Sequence, residues 1–234
     1  MTAAHDVPVR EAATVAVVRD GEDGLEVFMV RRTVDAVFSP GAHVFPGGAL
    51  DQADRSAAVE GCCDGLDDIA ASAMLGVAGG GLGYFVAAAR ECFEEAGLLL
   101  ARSDGELVTD VDRYAKHRDA LNAGECVMCD VCSSESLTLA VDLLMPFGHW
   151  ITPVGPPRRF DTRFFVAPAP PDQDPSHDGW ETTEGLWTRP VDVLAAADAG
   201  AVDLIEPTRY TLEALGVYDR VADVFATQVV DGPL

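Results

Sequence analysis

The chain has 234 residues, 48% of them hydrophobic, with 39 acidic and 16 basic side chains and a formal net charge of −23. That size and apolar content suit a globular protein with one sizeable core, while the charge excludes nonspecific attraction to nucleic acid or anionic lipid, which needs clustered Lys and Arg. No apolar run is long enough to cross a bilayer, and Met1 to Asp6 lacks a basic segment followed by an apolar one, so the expected location is the cytoplasm.

In chain order, Ala12 to Arg19 and Leu25 to Arg31 are β-branched and apolar, and Asp20-Gly21-Glu22-Asp23-Gly24 between them predicts a hairpin. Ser39 to Gly48 carries Pro-Gly and Gly-Gly breaks, which predicts a loop with a short strand at His43 to Phe45. This loop is expected to bring Gly47 and Gly48, with no side chain in the way, close to an acidic helix. Leu66 to Leu75 predicts a short helix, and Ala78-Gly79-Gly80-Gly81-Leu82-Gly83 a flexible connection; without a Lys-Ser or Lys-Thr ending it does not qualify as a phosphate-binding loop. Leu98 to Ala101 is expected as a strand and Asp110 to Ala123 as a helix. Phe160 to Ala167 and Thr183 to Trp187 are expected as strands, followed by helices near Val191 to Ala199 and Pro207 to Leu215. Strands and helices without a regular βαβ repeat predict an α/β (α+β type) fold with a mixed sheet between helices, as one domain over residues 9–226.

Cys126-x-x-Cys129-x-x-Cys132 has the three-residue spacing of one helix side. A structural zinc site needs a second pair of ligands at suitable spacing, and none follows, so these residues are expected as small hydrophobes. Lack of a secretion leader argues against disulfides.

The stretch Arg90-Glu91-Cys92-Phe93-Glu94-Glu95-Ala96-Gly97-Leu98 is the most informative. On a helix Glu91, Glu94 and Glu95 fall within an arc of about 100°, while Phe85, Ala89, Cys92 and Ala96 share a core-facing side. Crowded carboxylates near the C-terminal end of a helix oppose its dipole and repel each other. Arg90, one turn before Glu94, offsets part of that and leaves oxygens for a hard cation such as Mg2+ or Mn2+. Gly97 supplies the stop.

Arg-Glu-x-x-Glu-Glu-x-Gly with a following aliphatic resembles the second half of the Nudix box of the Nudix hydrolases. The first half is matched by Phe45-Pro46-Gly47-Gly48-Ala49-Leu50-Asp51-Gln52-Ala53-Asp54, with Asp54 where Glu is usual and Cys92 where an aliphatic is usual. The halves are separated by an insertion at about 55–83. A split box, together with Ser39-Pro40-Gly41-Ala42-His43-Val44, Trp150-Ile151-Thr152-Pro153 and Pro157-Arg158-Arg159-Phe160-Asp161-Thr162, resembles the coenzyme A and acyl-coenzyme A diphosphatase subgroup. The resemblance covers about residues 12 to 225.

It implies a Nudix α/β/α sandwich and hydrolysis of a nucleoside-linked diphosphate, with Glu91, Glu94 and Glu95 as ligands of Mg2+ or Mn2+. Glu91, Glu94 and Arg90 would form the catalytic set. One carboxylate acts as general base, with Glu94, Glu181 and Glu184 all open as candidates. The partner is a nucleoside-diphosphate-type small molecule, a homodimer is left open, and no nucleic acid or membrane is expected. Coenzyme A or acyl-coenzyme A, cut to 3′,5′-ADP and a 4′-phosphopantetheine, is the substrate the subgroup implies. NADH, nucleotide sugars and dinucleotide polyphosphates are the alternatives, beside a nucleotide-binding regulator without catalysis. A polyanionic substrate on an acidic chain needs local positive charge. Arg31 and Arg32, which with Thr33 resemble positions of a coenzyme A signature, and Arg158 and Arg159 are the candidates, with Gly47 and Gly48 offering backbone groups. Arg158 and Arg159 have a structural alternative, bracing the following strand through Asp161. The insertion is expected as a surface excursion that shapes the substrate pocket.

Overall fold

A computed structural model describes residues 7–34, 39–179 and 181–226; the leader expectation, which concerns residues 1–6, lies outside them. Strands β1 (Val9–Gly21) and β2 (Gly24–Arg32) form the expected hairpin. The register Gly21↔Gly24 leaves a two-residue turn, and Gly24 adopts φ 125°, a region that favours glycine. β3 (His43–Val44) pairs with β2, and β4 (Gly47–Ala49) pairs with β1. After the insertion helix α1 (Asp68–Leu75) comes the acidic helix α2 (Leu82–Ala96), ended by Gly97 at φ 68°. A small three-stranded sheet holds β5 (Ala101–Ser103), β6 (Glu106–Leu107) and β7 (Leu137–Leu139), with α3 (Ala115–Asn122) and α4 (Met128–Glu135) between β6 and β7. The chain then runs through β8 (Met145–Ile151), β9 (Arg159–Pro168), β10 (Thr182–Thr188), α5 (Pro190–Asp198), α6 (Glu206–Leu215) and α7 (Val221–Ala226).

The main sheet has the order β10-β2-β1-β9-β8, with β1 and β9 parallel and the other pairs antiparallel, so it is mixed as expected. β1 runs down its middle and is buried on both faces from Val15 to Val18, which is why this segment reads as a continuous apolar run. Ala13, Val15, Val17 and Phe165 pack against α2, where the Phe85 and Phe165 rings lie 4.7 Å apart. Ala16, Val18, Val27 and Met29 form a second core with Val193, Leu212 and Val224 of the C-terminal helices. The sheet therefore sits between helical layers, the arrangement the resemblance implies.

Several local expectations need correction. Leu98 to Leu100 is fully buried but joins no ladder; β5 begins at Ala101. The Leu99 amide donates to Gln173 Oε1 at 2.8 Å and its carbonyl accepts from Gln173 Nε2 at 3.1 Å, so a side chain takes the place of a neighbouring strand. The region expected as a helix from Asp110 begins with a 3-10 turn at Asp112–Tyr114 and becomes α-helical only at Ala115. β8 and α7 were not anticipated.

The glycine-rich exit of the insertion is held, not flexible. Asp68 accepts from the amides of Gly80 (3.0 Å) and Leu82 (2.9 Å), Ser72 Oγ accepts from Gly81 (2.9 Å), and a Cβ at Gly81 would lie 2.5 Å from the Ser72 Cα. Val59, Cys62, Ala71 and Leu75 of the insertion join the core beside α2. Disulfide formation was not expected either. Cys62 is bonded to Cys129 with a Cα separation of 5.9 Å, across 67 residues. Packing of the insertion onto α4 brings the two together, a contact that cysteine spacing does not encode. Cys132 remains a free, buried thiol, as expected of a small hydrophobe.

Candidate active site

The apolar side of α2 behaves as its spacing requires: Phe85, Cys92 and Ala96 are fully buried and Ala89 nearly so. The acidic side is also covered. Side chains of Glu91 and Glu94 keep 12% and 13% of their exposure, because β4, the segment from Asp51 to Asp54, and α3 surround them. Desolvation therefore acts on all three glutamates. Burial, opposed by Arg90 and reinforced by Glu94, pushes Glu91 up to about 7 from an ordinary 4.5. Burial raises Glu94, and burial followed by repulsion from Glu91 holds Glu95 well above the usual carboxylate range.

Arg90 organises this cluster. Its Nη1 donates to Glu91 Oε1 at 2.8 Å and Glu94 Oε2 at 2.7 Å, Nη2 donates to the Ala49 carbonyl at 3.1 Å, and Nε and Nη2 reach the two oxygens of Asp54 at 3.1 and 3.0 Å. Burial disfavours the guanidinium charge, but Glu91, Asp54 and Glu94 outweigh it and hold Arg90 protonated. The fork joins the two halves of the split box, so the shorter Asp54 still reaches its partner. Gly47 donates its amide to Glu95 Oε2 at 2.9 Å, and a Cβ at Gly48 would fall 2.6 Å from Glu91 Cδ. Both glycines thus lie against the acidic helix as expected.

As the side chains stand, no group of three or more His, Cys, Asp or Glu donors among the described residues is gathered closely enough to grip an ion. Glu91 and Glu94 are turned onto Arg90, and Glu95 onto Gly47. The donor set nonetheless has the chemistry a hard divalent cation takes: three oxygen-bearing acids on one helix face, desolvated and mutually repelling. Because their folded pKa values lie above 4.5, the metal-free fold is favoured at low pH and loses that contribution as pH rises through about 7. A cation that offsets the repulsion should accordingly raise Tm more at pH 8 than at pH 5.5. Calorimetry with and without Mn2+ at the two pH values checks this, and an equal shift at both would count against binding at these carboxylates.

A cavity of about 660 Å3 opens over Glu91, Glu94 and Glu95, walled also by Arg118, Asn122, Asp178 and Glu181. A smaller one of about 170 Å3 lies beyond Arg90 and Glu94, between Asp51 to Asp54 and the Cys126 to Cys129 segment. Of the two downstream acids, Glu181 lines the large cavity, whereas Glu184 faces Arg31 at 3.8 Å across the β2–β10 pair. Arg32 lies near Glu181 at 3.9 Å and acts electrostatically on Glu95, and its buried Nε has no hydrogen-bond partner among the described residues. Arg31 is half exposed. Neither Arg158 nor Arg159 is among the described residues lining these cavities. Arg158 is exposed, while Arg159 donates to the carbonyls of Thr152 (3.0 Å) and Val7 (3.5 Å), so it braces the β8–β9 connection through backbone groups. Asp161, the acid expected to receive it, sits 2.6 Å from His149.

Residues 55–83 do not line either cavity; they pack beside α2 through Val59, Ala71 and Leu75, and Cys62 is bonded to Cys129, which walls the smaller one. Neither cavity thus takes a lining residue from the insertion, whose expected part is in shaping the substrate pocket. Sequence reasoning missed Arg118 and Asp178, which carry no local signal: one is an isolated Arg in a polar helix and the other sits in a Pro-rich loop.

The NUDT19 Nudix domain profile matches residues 76–215, well over half of the chain, beginning at the end of the insertion and spanning the acidic helix. The chain belongs to this Nudix family. A Nudix hydrolase from Alicyclobacillus acidocaldarius has the same fold, with a TM-score of 0.75 and 29% identity over 97% of this chain and 99% of that one. The acyl-coenzyme A diphosphatase NUDT19 of Homo sapiens is 27% identical, covering 86% of this Nudix chain, and that of Xenopus laevis is 26% identical, covering 81%. The chain spans 63% and 59% of the length of those two relatives. No helix among the described residues is long and apolar enough to cross a membrane.

Proposed function

We propose that this Nudix protein is a metal-dependent diphosphatase that cleaves coenzyme A or acyl-coenzyme A to 3′,5′-ADP and the corresponding 4′-phosphopantetheine. The observation that carries the reading is the Arg90 fork, which draws Asp54, Glu91 and Glu94 into one buried cluster beneath a cavity large enough for a nucleotide. Relatives named as acyl-coenzyme A diphosphatases support the substrate class. Mg2+ or Mn2+, held by Glu91, Glu94 and Glu95, would lower the pKa of a bound water and neutralise charge on the phosphoryl oxygens.

The chain's own residues do the rest. Arg90 holds Glu91 and Glu94 in register, and the Gly47 amide orients Glu95. Glu181, more than half exposed and across the cavity from the helix carboxylates, accepts the proton of the attacking water. Arg32, beside Glu95 and Glu181, binds a phosphate oxygen. Arg31 and Arg158 would contact only parts of the substrate remote from the cleaved bond, while Arg159 braces the β8–β9 connection.

A panel of coenzyme A, an acyl-coenzyme A, NADH, a nucleotide sugar and a dinucleotide polyphosphate, each with Mg2+ or Mn2+, tests this. Metal-dependent release of 3′,5′-ADP, fastest from the coenzyme A compounds, is the expected result. Preference for another member reassigns the substrate, and no phosphomonoester from any of them overturns the catalytic reading in favour of nucleotide binding alone.

A further inference from the structure

Between β9 and β10 the chain crosses the C-terminal end of α2 as a strap, and three contacts fasten it. Gln173 fills the backbone of Leu99 and donates to the Val108 carbonyl at 2.6 Å. The Ser176 amide donates to the Ala96 carbonyl at 2.8 Å. Arg118 of α3 reaches both partners at once: Nε donates to the Glu94 carbonyl at 3.0 Å, Nη1 to Ser176 Oγ at 2.8 Å and Nη2 to the Ser176 carbonyl at 2.7 Å. Two residues further on, Asp178 accepts from the amide and hydroxyl of Thr182, each at 2.9 Å, and from the Glu181 amide at 3.3 Å. The route from Arg118 to the backbone of Glu181 is therefore continuous and short. Gly97 makes room for it, since a Cβ there would lie 2.8 Å from Ser176 Oγ and 2.9 Å from Arg118 Nη1.

We propose that Arg118 is a positioning residue: it clamps the strap at Ser176 to the end of the acidic helix and so sets where Glu181 stands over the carboxylates. Five hydrogen-bond donors in a planar fork suit a clamp between two backbone carbonyls in a way that Lys, a single flexible ammonium, does not. The same guanidinium lines the cavity, but its donors at Ser176 and Glu94 are committed to protein oxygens, which separates it from a substrate-binding role.

The kinetic part of this inference rests on the proposed role of Glu181, so the test has two independent readouts. In Arg118→Met, amide hydrogen exchange at residues 176–182 should accelerate at least tenfold while exchange within α2 and β1 stays as in the parent. Unchanged exchange there overturns the clamp whatever the protein catalyses. With a cleaved substrate from the panel, Arg118→Met should lower kcat about a hundredfold, as expected when a catalytic group is displaced by about 1 Å, with KM within threefold. Adding it to Glu181→Gln should then cost little more than Glu181→Gln alone. Fully additive losses would overturn positioning through Glu181. A Glu181→Gln protein with parental kcat would reject the base assignment and with it the kinetic half of the inference, and the exchange result would still decide the clamp. Arg118→Lys should recover less than half of the lost exchange protection.

Discussion

Glu94→Gln should leave the fold intact and lower kcat by about two to three orders of magnitude at saturating Mg2+ or Mn2+, the scale of several kcal/mol of lost charge stabilisation. Gln has the same shape, and its carbonyl oxygen can still accept from Arg90 Nη1, which lies 2.7 Å from Glu94 Oε2. What disappears is one of three charges on a desolvated helix face. Because burial and the nearby Asp54 and Asp51 already disfavour ionised Glu94, the metal-free variant should melt at or above the parental Tm. Steady-state kinetics with calorimetry checks both halves, and a kcat equal to that of the parent would sink the assignment of this carboxylate.

Arg90→Met should have the largest effect on stability. The guanidinium spans Asp54, Glu91, Glu94 and the Ala49 carbonyl, and its removal strands Asp54, which is only 2% exposed, together with two nearly buried glutamates. Breaking a buried ion pair from one side costs about 3–5 kcal/mol, which for a chain of this length lowers Tm by roughly 6–20 °C. The loss should be largest at pH 8. It should shrink toward pH 5, where Glu91 and Glu94, already raised by burial, take up protons and no longer carry uncompensated charge. Pairing the change with Asp54→Asn should recover part of it, since one of the unpaired charges then disappears. Denaturation curves at the two pH values settle the matter; a variant as stable as the parent at pH 8 would show that the fork adds nothing to the fold.

Local patterns were the legible part of this protein. The β-branched runs of β1 and β2, the short turn at Glu22-Asp23 and the stop at Gly97 each rest on the conformational preference of a few neighbouring residues. The helical spacing of Glu91, Glu94 and Glu95 opposite Phe85, Ala89, Cys92 and Ala96 places both the core face and the acidic face without reference to any tertiary contact. Pairing of Arg90 with Glu94 followed from one helical turn, while its further grip on Asp54 crosses 36 residues and the whole insertion.

Tertiary structure decided what no spacing could. Arg118 and Ser176 are 58 residues apart, Gln173 and Leu99 74, and Cys62 and Cys129 67. Each pair meets only because sheet and helices pack in one way, so composition and period carry no trace of it. The same holds for Gly80 and Gly81, which read as a flexible run until Asp68 and Ser72 are seen to take their amides. It also holds for the split between Glu181 and Glu184, three residues apart in sequence, one turned to the cavity and the other to Arg31. By itself the sequence determined the acidic helix and its charge, because these follow from residues within two turns of one another. Which acid, which arginine and which loop stand across from that helix depended on long-range burial, which only the assembled fold imposes.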